Sequence, residues 1–236
     1  MTSGMAHAKR FCLLTTGRTG STSLVDALAS WDDVVVPGKL VPCVDNELVH
    51  PEFVAGYMKQ FGELAGRTIE DADALIEAFF ALGAHAGYVG FKSMPYRHRH
   101  FQAFVARPDV RFIVLLRRDV TATVASFAVA QQTGSWRRRG GVPGAWTFRA
   151  EDRVRVWDLA AYVRHTNEML MAVPGAIRLF YEDLCDPSFS SPELDEFFAR
   201  PVRLRAPNPP VRTEDYVTNH AQFARFVDTA LKHVDV

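Results

Sequence analysis

The segment "LLTTGRTGSTSLVDAL", residues 13 to 28, changes character twice. An apolar run gives way to small and polar residues that include Gly17, Arg18 and Gly20, and apolar residues then return at helical spacing. The pattern predicts a strand, a glycine-containing turn and a helix. Such a turn brings backbone N–H groups and the positive end of a helix to one point, which suits a phosphate group.

The composition of the whole chain is that of an ordinary globular protein, with 48% hydrophobic and 23% charged residues among 236. The 27 lysines and arginines balance the 27 acidic residues, so charge gives no argument for a nucleic acid or membrane partner. The three cysteines are widely spaced, and we expect reduced thiols and a cytoplasmic location. No apolar run approaches the roughly 18 residues of a membrane span, and we expect none.

Apolar runs alternate with amphipathic segments, as in β-α-β units around a parallel sheet. The predicted strands are residues 11–15, 34–36, 88–92, 111–116 and 176–180, and the predicted helices are residues 21–30, 70–82, 120–131, 156–170 and 221–233. A glycine-rich loop is predicted for residues 133–146, and an irregular proline-rich segment for residues 200–210. We therefore expect an N-terminal tail, residues 1–10, followed by one domain, residues 11–236, with a three-layer α/β/α architecture.

The turn after the first predicted strand differs from the phosphate loop of ATP-binding proteins. That loop reads GxxxxGK[ST], whereas only two residues separate Gly17 from Gly20 here, and Ser21 stands where the lysine would follow. The cation is instead Arg18, inside the turn. This pattern predicts a loop that binds one phosphate group and its substituent, and no triphosphate with a metal ion.

A second anion site is predicted in "RFIVLLRRDVTATVASF", residues 111 to 127. Arg117 and Arg118 follow a buried strand at its carboxyl end, which is the ligand edge of an open α/β sheet. Ser126 lies eight residues after Arg118, about two helical turns, so its hydroxyl is expected on the same side. Arginines replace the acidic residue that a magnesium-dependent enzyme would place there, and we expect no metal.

The two stretches together resemble the sulfotransferases that use 3′-phosphoadenosine 5′-phosphosulfate (PAPS) and release 3′-phosphoadenosine 5′-phosphate (PAP). The family pattern "[KR]-[ST]-G-[ST]-[ST]" holds the 5′-phosphosulfate, and an arginine with a serine eight residues later holds the 3′-phosphate. The latter pair matches Arg118 and Ser126. The first pattern matches residues 18–22, and the next residue adds one further hydroxyl. The residues concerned are Arg18, Thr19, Gly20, Ser21, Thr22 and Ser23. The resemblance implies a P-loop-NTPase-like sulfotransferase fold.

Weaker similarities support this resemblance. Tyr181 in "LFYEDL" resembles the family tyrosine beside the adenine, and Lys92 in "GFKSMP" resembles a lysine on the sulfate side. "QTGSW", residues 132–136, is similar to the bacterial branch that includes trehalose sulfotransferase, which makes a homodimer possible. Met94 replaces a histidine of the cytosolic members, and the family's glycine-rich C-terminal motif is absent, with Arg212 as a candidate substitute.

The resemblance implies in-line transfer of a sulfuryl group to a hydroxyl or amine of a small-molecule, carbohydrate or lipid acceptor. Arg18 and Lys92 would neutralise charge on the departing 5′-phosphate. Glu47, in the loop after the second strand, is the candidate general base. The alternatives for this role are Asp45, His50, His98 and His100.

Two other functions remain open at the level of sequence. A small-molecule kinase with a P-loop would share the parallel sheet and the phosphate loop, although the lysine expected after Gly20 is missing. A nucleotide-binding module without turnover would share the whole pocket.

The three arginines at positions 137–139 are a weak indication of nucleic acid because the rest of the chain is neutral. Trp136 beside them could border an acceptor pocket.

Overall fold

A five-stranded sheet forms the centre of the protein. The structure is a computed structural model that describes residues 8–134, 146–203 and 212–233. The strands are β1 (Lys9–Thr15), β2 (Val34–Val35), β3 (Tyr88–Ser93), β4 (Val110–Leu116) and β5 (Ile177–Phe180). Their order is β2-β3-β1-β4-β5, and neighbouring strands run parallel. The predicted α/β fold with a central parallel sheet is therefore confirmed.

Helices connect the strands and continue beyond the last one. The described α-helices are α1 (Ser21–Ala29), α2 (Val54–Ala65), α3 (Ala72–Leu82), α4 (Phe101–Val105), α5 (Val120–Thr133), α6 (Arg153–Met171), α7 (Tyr181–Leu184), α8 (Pro192–Phe198) and α9 (His220–His233). Local capping explains some of the starts. The side chain of Asp71 accepts a hydrogen bond from the N–H of Ala74 at the start of α3, and that of Asp119 accepts one from Ala122 at the start of α5.

The sheet separates two apolar layers because side chains alternate along each strand. Phe11 and Leu13 of β1 face a core that includes side chains of α1 and α8. Cys12 and Leu14 face the opposite core, which includes side chains of α2, α3 and α4. A further cluster joins α5, α6 and α9. The predicted three-layer α/β/α architecture is thus observed.

Helices α2 and α8, and the short helices α4 and α7, were not predicted. The sequence of α2 contains two interior glycines, Gly56 and Gly62, which weaken the helical pattern. Gly62 has a packing reason, because a Cβ there would lie 2.7 Å from the carbonyl oxygen of Arg67. β1 begins at Lys9, two residues before the predicted strand.

Two predicted segments fall largely outside the described residues. They are the loop 133–146, with Trp136 and the arginines at 137–139, and the proline-rich segment 200–210. Within the described ranges, no helix combines the length and the apolar character that crossing a membrane requires.

Gly90, in the middle of β3, makes room for the neighbouring strand. It pairs with Phe11, and a Cβ on Gly90 would lie 2.5 Å from both the ring and the carbonyl oxygen of Phe11. We therefore expect Gly90→Ala to lower the free energy of unfolding by about 1–3 kcal/mol. The measurement is equilibrium unfolding in urea.

Gly56→Ala is the matched control. Gly56 is exposed in α2, and a Cβ there would meet no atom within 4 Å. This substitution is expected to raise the free energy of unfolding by about 0.5 kcal/mol because alanine favours the helix. Equal changes for the two variants would contradict the packing assigned to Gly90.

Candidate functional site

The loop between β1 and α1, residues 16–20, has an unusual backbone. Gly17, Arg18 and Gly20 adopt φ angles of 93°, 56° and 76°. This left-handed region is open to glycine but costs about 1–2 kcal/mol for a residue with a side chain. Turns of this kind direct successive N–H groups toward one side and form concave anion sites. The predicted phosphate loop therefore has a backbone suited to that role.

Hydrogen bonds from two directions hold this loop. The hydroxyl of Thr15, the last residue of β1, lies 2.5 Å from that of Thr19 in the loop. From α6, Asn167 Oδ1 accepts a hydrogen bond from the Thr16 hydroxyl at 2.5 Å, and the Tyr162 hydroxyl donates to the Thr16 carbonyl at 3.1 Å. The left-handed conformation is thus fixed by contacts with both β1 and α6.

The N-terminus of α1 is directly connected to this loop. Gly20 precedes the helix, and no side chain among the described residues caps this end. Tyr181 packs on Gly20 so closely that a Cβ there would lie 2.7 Å from its ring. In the first turn Ser21 is buried, Thr22 is half-buried and Ser23 is exposed. The helix start can therefore offer backbone N–H groups and hydroxyls to a ligand.

Arg18 lies against α5. Its Nε donates a hydrogen bond to Ser126 Oγ at 2.8 Å, and Ser126 Oγ lies 3.4 Å from the Tyr216 hydroxyl. Burial lowers the pKa of the Arg18 guanidinium, and the hydrogen bond with Tyr216 opposes this effect. Ser126 therefore contacts the arginine of the loop. Tyr216 was not predicted as a site residue.

Arg118 has a different partner. Its two terminal nitrogens donate to Asp183 Oδ1 and Oδ2 at 2.6 and 2.7 Å, and its guanidinium lies 4.0 Å from the centre of the Phe180 ring. Half of the side chain, 51%, is exposed. The two residues of the predicted pair therefore have different partners: Ser126 contacts Arg18, and Arg118 contacts Asp183. An anion that binds Arg118 would compete with Asp183.

Arg117 is the buried arginine at the end of β4. Its guanidinium lies 5.0 Å from the centre of the Tyr181 ring, which packs on Gly20. Its Nε is 4.0 Å from Glu182 Oε1, and the Glu182 carboxylate also accepts hydrogen bonds from the N–H groups of Arg118 and Asp119. Tyr181 and Arg117 thus lie on the same side of the loop.

The structure brings two of the predicted catalytic residues together. Glu47 forms an isolated parallel bridge with Lys92, and Lys92 Nζ lies 4.0 Å from Glu47 Oε2 and 3.9 Å from Asp45 Oδ2. Both Glu47 and Lys92 are buried, at 4% and 3% exposure. Asp45 and Asn46 have φ angles of 53° and 56°, so the chain that presents Glu47 is sharply turned.

Arg97 is a residue of this cluster that the sequence analysis missed. Its Nε donates to Glu47 Oε1 at 2.9 Å. Arg97 ends the short 3₁₀ turn Pro95–Arg97, which follows β3. In "YRHRHF", residues 96–101, the two histidines are the side chains typical of a general base, so they were the candidates. The spacing of the sequence does not indicate that Arg97 faces Glu47.

His98 is a packed side chain with a structural role. Its Nε2 is 2.8 Å from Ser93 Oγ, and its ring stacks on that of Phe104 with 4.0 Å between the centres. Burial lowers the pKa of His98 to about 4. Of the other two candidate histidines, His50 is half-buried and His100 is exposed.

Arg212 is exposed and lies beside Glu214. Its Nη1 lies 3.8 Å from Glu214 Oε1, and its side chain is 78% exposed. Its backbone N–H donates to Asp215 and starts the turn that leads to Tyr216, which reaches Ser126. The C-terminal segment therefore contributes to the site through Tyr216.

The chain was compared with known proteins. No protein-family model matches it, and a search of curated proteins finds no significant match. Among the described residues, no three His, Cys, Asp or Glu side chains are grouped as they are in a metal site.

The half-buried His98 predicts a loss of stability in acid. The folded protein holds the imidazole neutral down to about pH 4, whereas the unfolded chain takes up a proton below about pH 6.5. The unfolded state then binds more protons, so the free energy of unfolding should fall by about 3 kcal/mol between these limits. Urea unfolding of the protein and of His98→Gln as a function of pH measures this loss.

His100→Gln is the control, because His100 is exposed. We expect this variant to follow the pH dependence of the unsubstituted protein, whereas His98→Gln loses the part between pH 6.5 and 4. The same dependence in all three proteins would show that His98 is not the residue responsible.

Proposed function

We propose that the protein is a sulfotransferase that moves the sulfuryl group of PAPS to a hydroxyl or amine of a small-molecule, carbohydrate or lipid acceptor. The observation that carries this proposal is the left-handed backbone of Gly17, Arg18 and Gly20 at the start of α1. A loop of this kind binds one phosphate-sized anion through N–H groups and the helix end. The 5′-phosphosulfate would lie there.

Cations on both sides of the loop support a ligand with several negative charges. β3 and β4 lie on either side of β1, and Lys92 lies near the end of β3 while Arg117 follows β4. Because parallel strands end at the same edge, these side chains can act on one ligand together with Arg18. In the proposed reaction Arg18 and Lys92 stabilise the charge that grows on the 5′-phosphate.

Glu47 is the proposed general base. The acceptor oxygen forms a bond to sulfur while the bond from sulfur to the bridging oxygen breaks, and the electron pair leaves with PAP. The acceptor proton passes to Glu47, which is buried beside Lys92. Among the alternative bases, Asp45 also lies close to Lys92. Most of the catalysis then comes from positioning and electrostatics.

Binding of the spent donor tests the proposal. We expect PAP without a metal ion to raise the melting temperature, since saturation at about 100 times Kd stabilises the folded state by about 2.7 kcal/mol. Arg18→Met should weaken PAP binding by about 10- to 100-fold, because a hydrogen bond to a charged group is lost. Calorimetric titration measures the affinity. Arg99→Met, at an exposed arginine two residues after Arg97 in the sequence, is the matched control.

The same titration separates the proposal from its main competitor. If ATP with magnesium stabilises the protein and PAP does not, the protein would be assigned as a small-molecule kinase and not as a sulfotransferase. An equal loss of PAP affinity in Arg18→Met and Arg99→Met would contradict the role of the loop. Binding of PAP without any sulfated product would favour a nucleotide-binding module that lacks turnover.

The base assignment predicts a loss of transfer without a loss of donor binding. Glu47→Gln should lower kcat by about 100-fold or more, because a general base contributes about 10²–10⁴ to the rate. Its affinity for PAP should change by less than about threefold, since in this role Glu47 acts on the acceptor. Mass spectrometry of a metabolite pool incubated with PAPS identifies acceptors by an added sulfuryl group.

Asp45→Asn distinguishes the two acids. It removes a carboxylate at a similar distance from Lys92, 3.9 Å against 4.0 Å. We expect it to retain most of the transfer activity. The reverse result, with activity in Glu47→Gln and none in Asp45→Asn, would assign the base to Asp45.

A further inference from the structure

The contact between Arg97 and Glu47 is directional. Arg97 Nε donates to Glu47 Oε1 at 2.9 Å, and the two side chains are only 11% and 5% exposed. A hydrogen bond between ionised groups is stronger than one between neutral groups and fixes the orientation of the carboxylate. The orientation of the Glu47 carboxylate is therefore set by Arg97 more than by Lys92 Nζ, which is 4.0 Å away.

The second oxygen of Glu47 is in a different situation. Oε2 faces Lys92 Nζ at 4.0 Å, which is beyond hydrogen-bond distance. A carboxylate oxygen in this position has lone pairs available to accept a proton. Arg97 holds one oxygen in place and thereby orients the other toward the lysine.

Arg97 is itself held by an aromatic pair that reaches the loop of residues 16–20. Its guanidinium lies 4.4 Å from the centre of the Tyr96 ring, a cation–π contact. The Tyr96 ring packs on Tyr162 edge to face, with 5.6 Å between the centres. The Tyr162 hydroxyl donates to the carbonyl of Thr16 in the loop. A continuous series of contacts thus connects the loop with Glu47.

We infer that Arg97 is a positioning residue for Glu47. It fixes Oε1, leaves Oε2 to take the acceptor proton, and through Tyr96 and Tyr162 sets the location of the carboxylate relative to the loop. This inference rests on the proposed function, in which Glu47 is the base and the loop binds the donor.

Transfer kinetics test this role. With PAPS and an acceptor found by the mass-spectrometric screen, Arg97→Met should lower kcat about 100-fold, the lower end of what a general base contributes. The donor KM should change by less than about threefold, since in this role Arg97 acts on the acceptor side. Arg97→Lys keeps the charge, and its kcat should be at least about tenfold higher than that of Arg97→Met. Arg99→Met, the exposed control, should match the unsubstituted protein.

The Glu47→Gln background separates positioning from a general structural role. If Arg97 acts through Glu47, adding Arg97→Met to Glu47→Gln should change kcat by less than about twofold. Because the double variant removes both ends of the ion pair, it leaves no buried charge of that pair unmatched and is expected to fold. The inference would be overturned if Arg97→Met lowered kcat equally in both backgrounds. It would also be overturned if Arg97→Met raised the donor KM and left kcat unchanged.

A labelling experiment tests the same contact without turnover. Carbodiimide coupling of glycinamide to Glu47, followed by peptide mass spectrometry, should be about tenfold faster in Arg97→Met, because a charged hydrogen bond no longer holds the carboxylate. Arg97→Lys should show a smaller increase and Arg99→Met none. An unchanged rate in Arg97→Met would overturn the inference. If PAP fails to bind, the proposed function fails while the labelling rates still report on Arg97.

Discussion

The reversal of the backbone between β1 and α1 is the constraint on which the rest of the site depends. Arg18 adopts a left-handed φ of 56° between two glycines, a conformation that costs about 1–2 kcal/mol for a residue with a side chain. The fold keeps it through several independent contacts: Thr15 with Thr19, α6 with Thr16, and Tyr181 against Gly20. Strain that is held from several directions is typical of a site prepared for a ligand.

The parallel sheet explains why other charges gather near this reversal. With the order β3-β1-β4, residues that follow or end these strands lie at one edge of the sheet. Each buried cation there has an acidic neighbour: Lys92 has Asp45 and Glu47, and Arg117 has Glu182. A buried charge without a partner would cost several kcal/mol, so these acids make the cluster compatible with a stable fold.

The local features of the site could be predicted from the sequence. Gly17, Arg18 and Gly20 lie within four residues, and the end of a buried strand at Lys92 is visible in its own composition. The α/β architecture follows from hydrophobic periodicity, which is a property of each segment alone. Helix α2 was missed because Gly56 and Gly62 interrupt its pattern, although tertiary packing outweighs their low helix propensity.

The choice of side-chain partners could not be predicted in the same way. Arg18 and Ser126 are 108 residues apart, and Arg97 and Glu47 are 50 residues apart. Spacing predicted that Ser126 would serve the same anion as Arg118, yet Asp183 binds Arg118 and the loop arginine binds Ser126. Such contacts depend on the length and direction of side chains from separate elements, which no periodic pattern encodes.

The residues around Glu47 and the loop of residues 16–20 form two halves of the site that differ in charge balance. Under the proposed function, this difference bears on the acceptor. Around Glu47, two cations, Lys92 and Arg97, face two carboxylates, so that half is electrically neutral as a group. At the loop, burial and the nearby Arg117 lower the pKa of Arg18 while Tyr216 raises it, and an anion beside the guanidinium would offset the cost of burying its charge. Under the proposed function, the negative charges of the donor would be bound at the loop. Under the proposed function, the balanced half beside Glu47 favours an acceptor without charge, such as the hydroxyl of a sugar, because a charged one would disturb that balance.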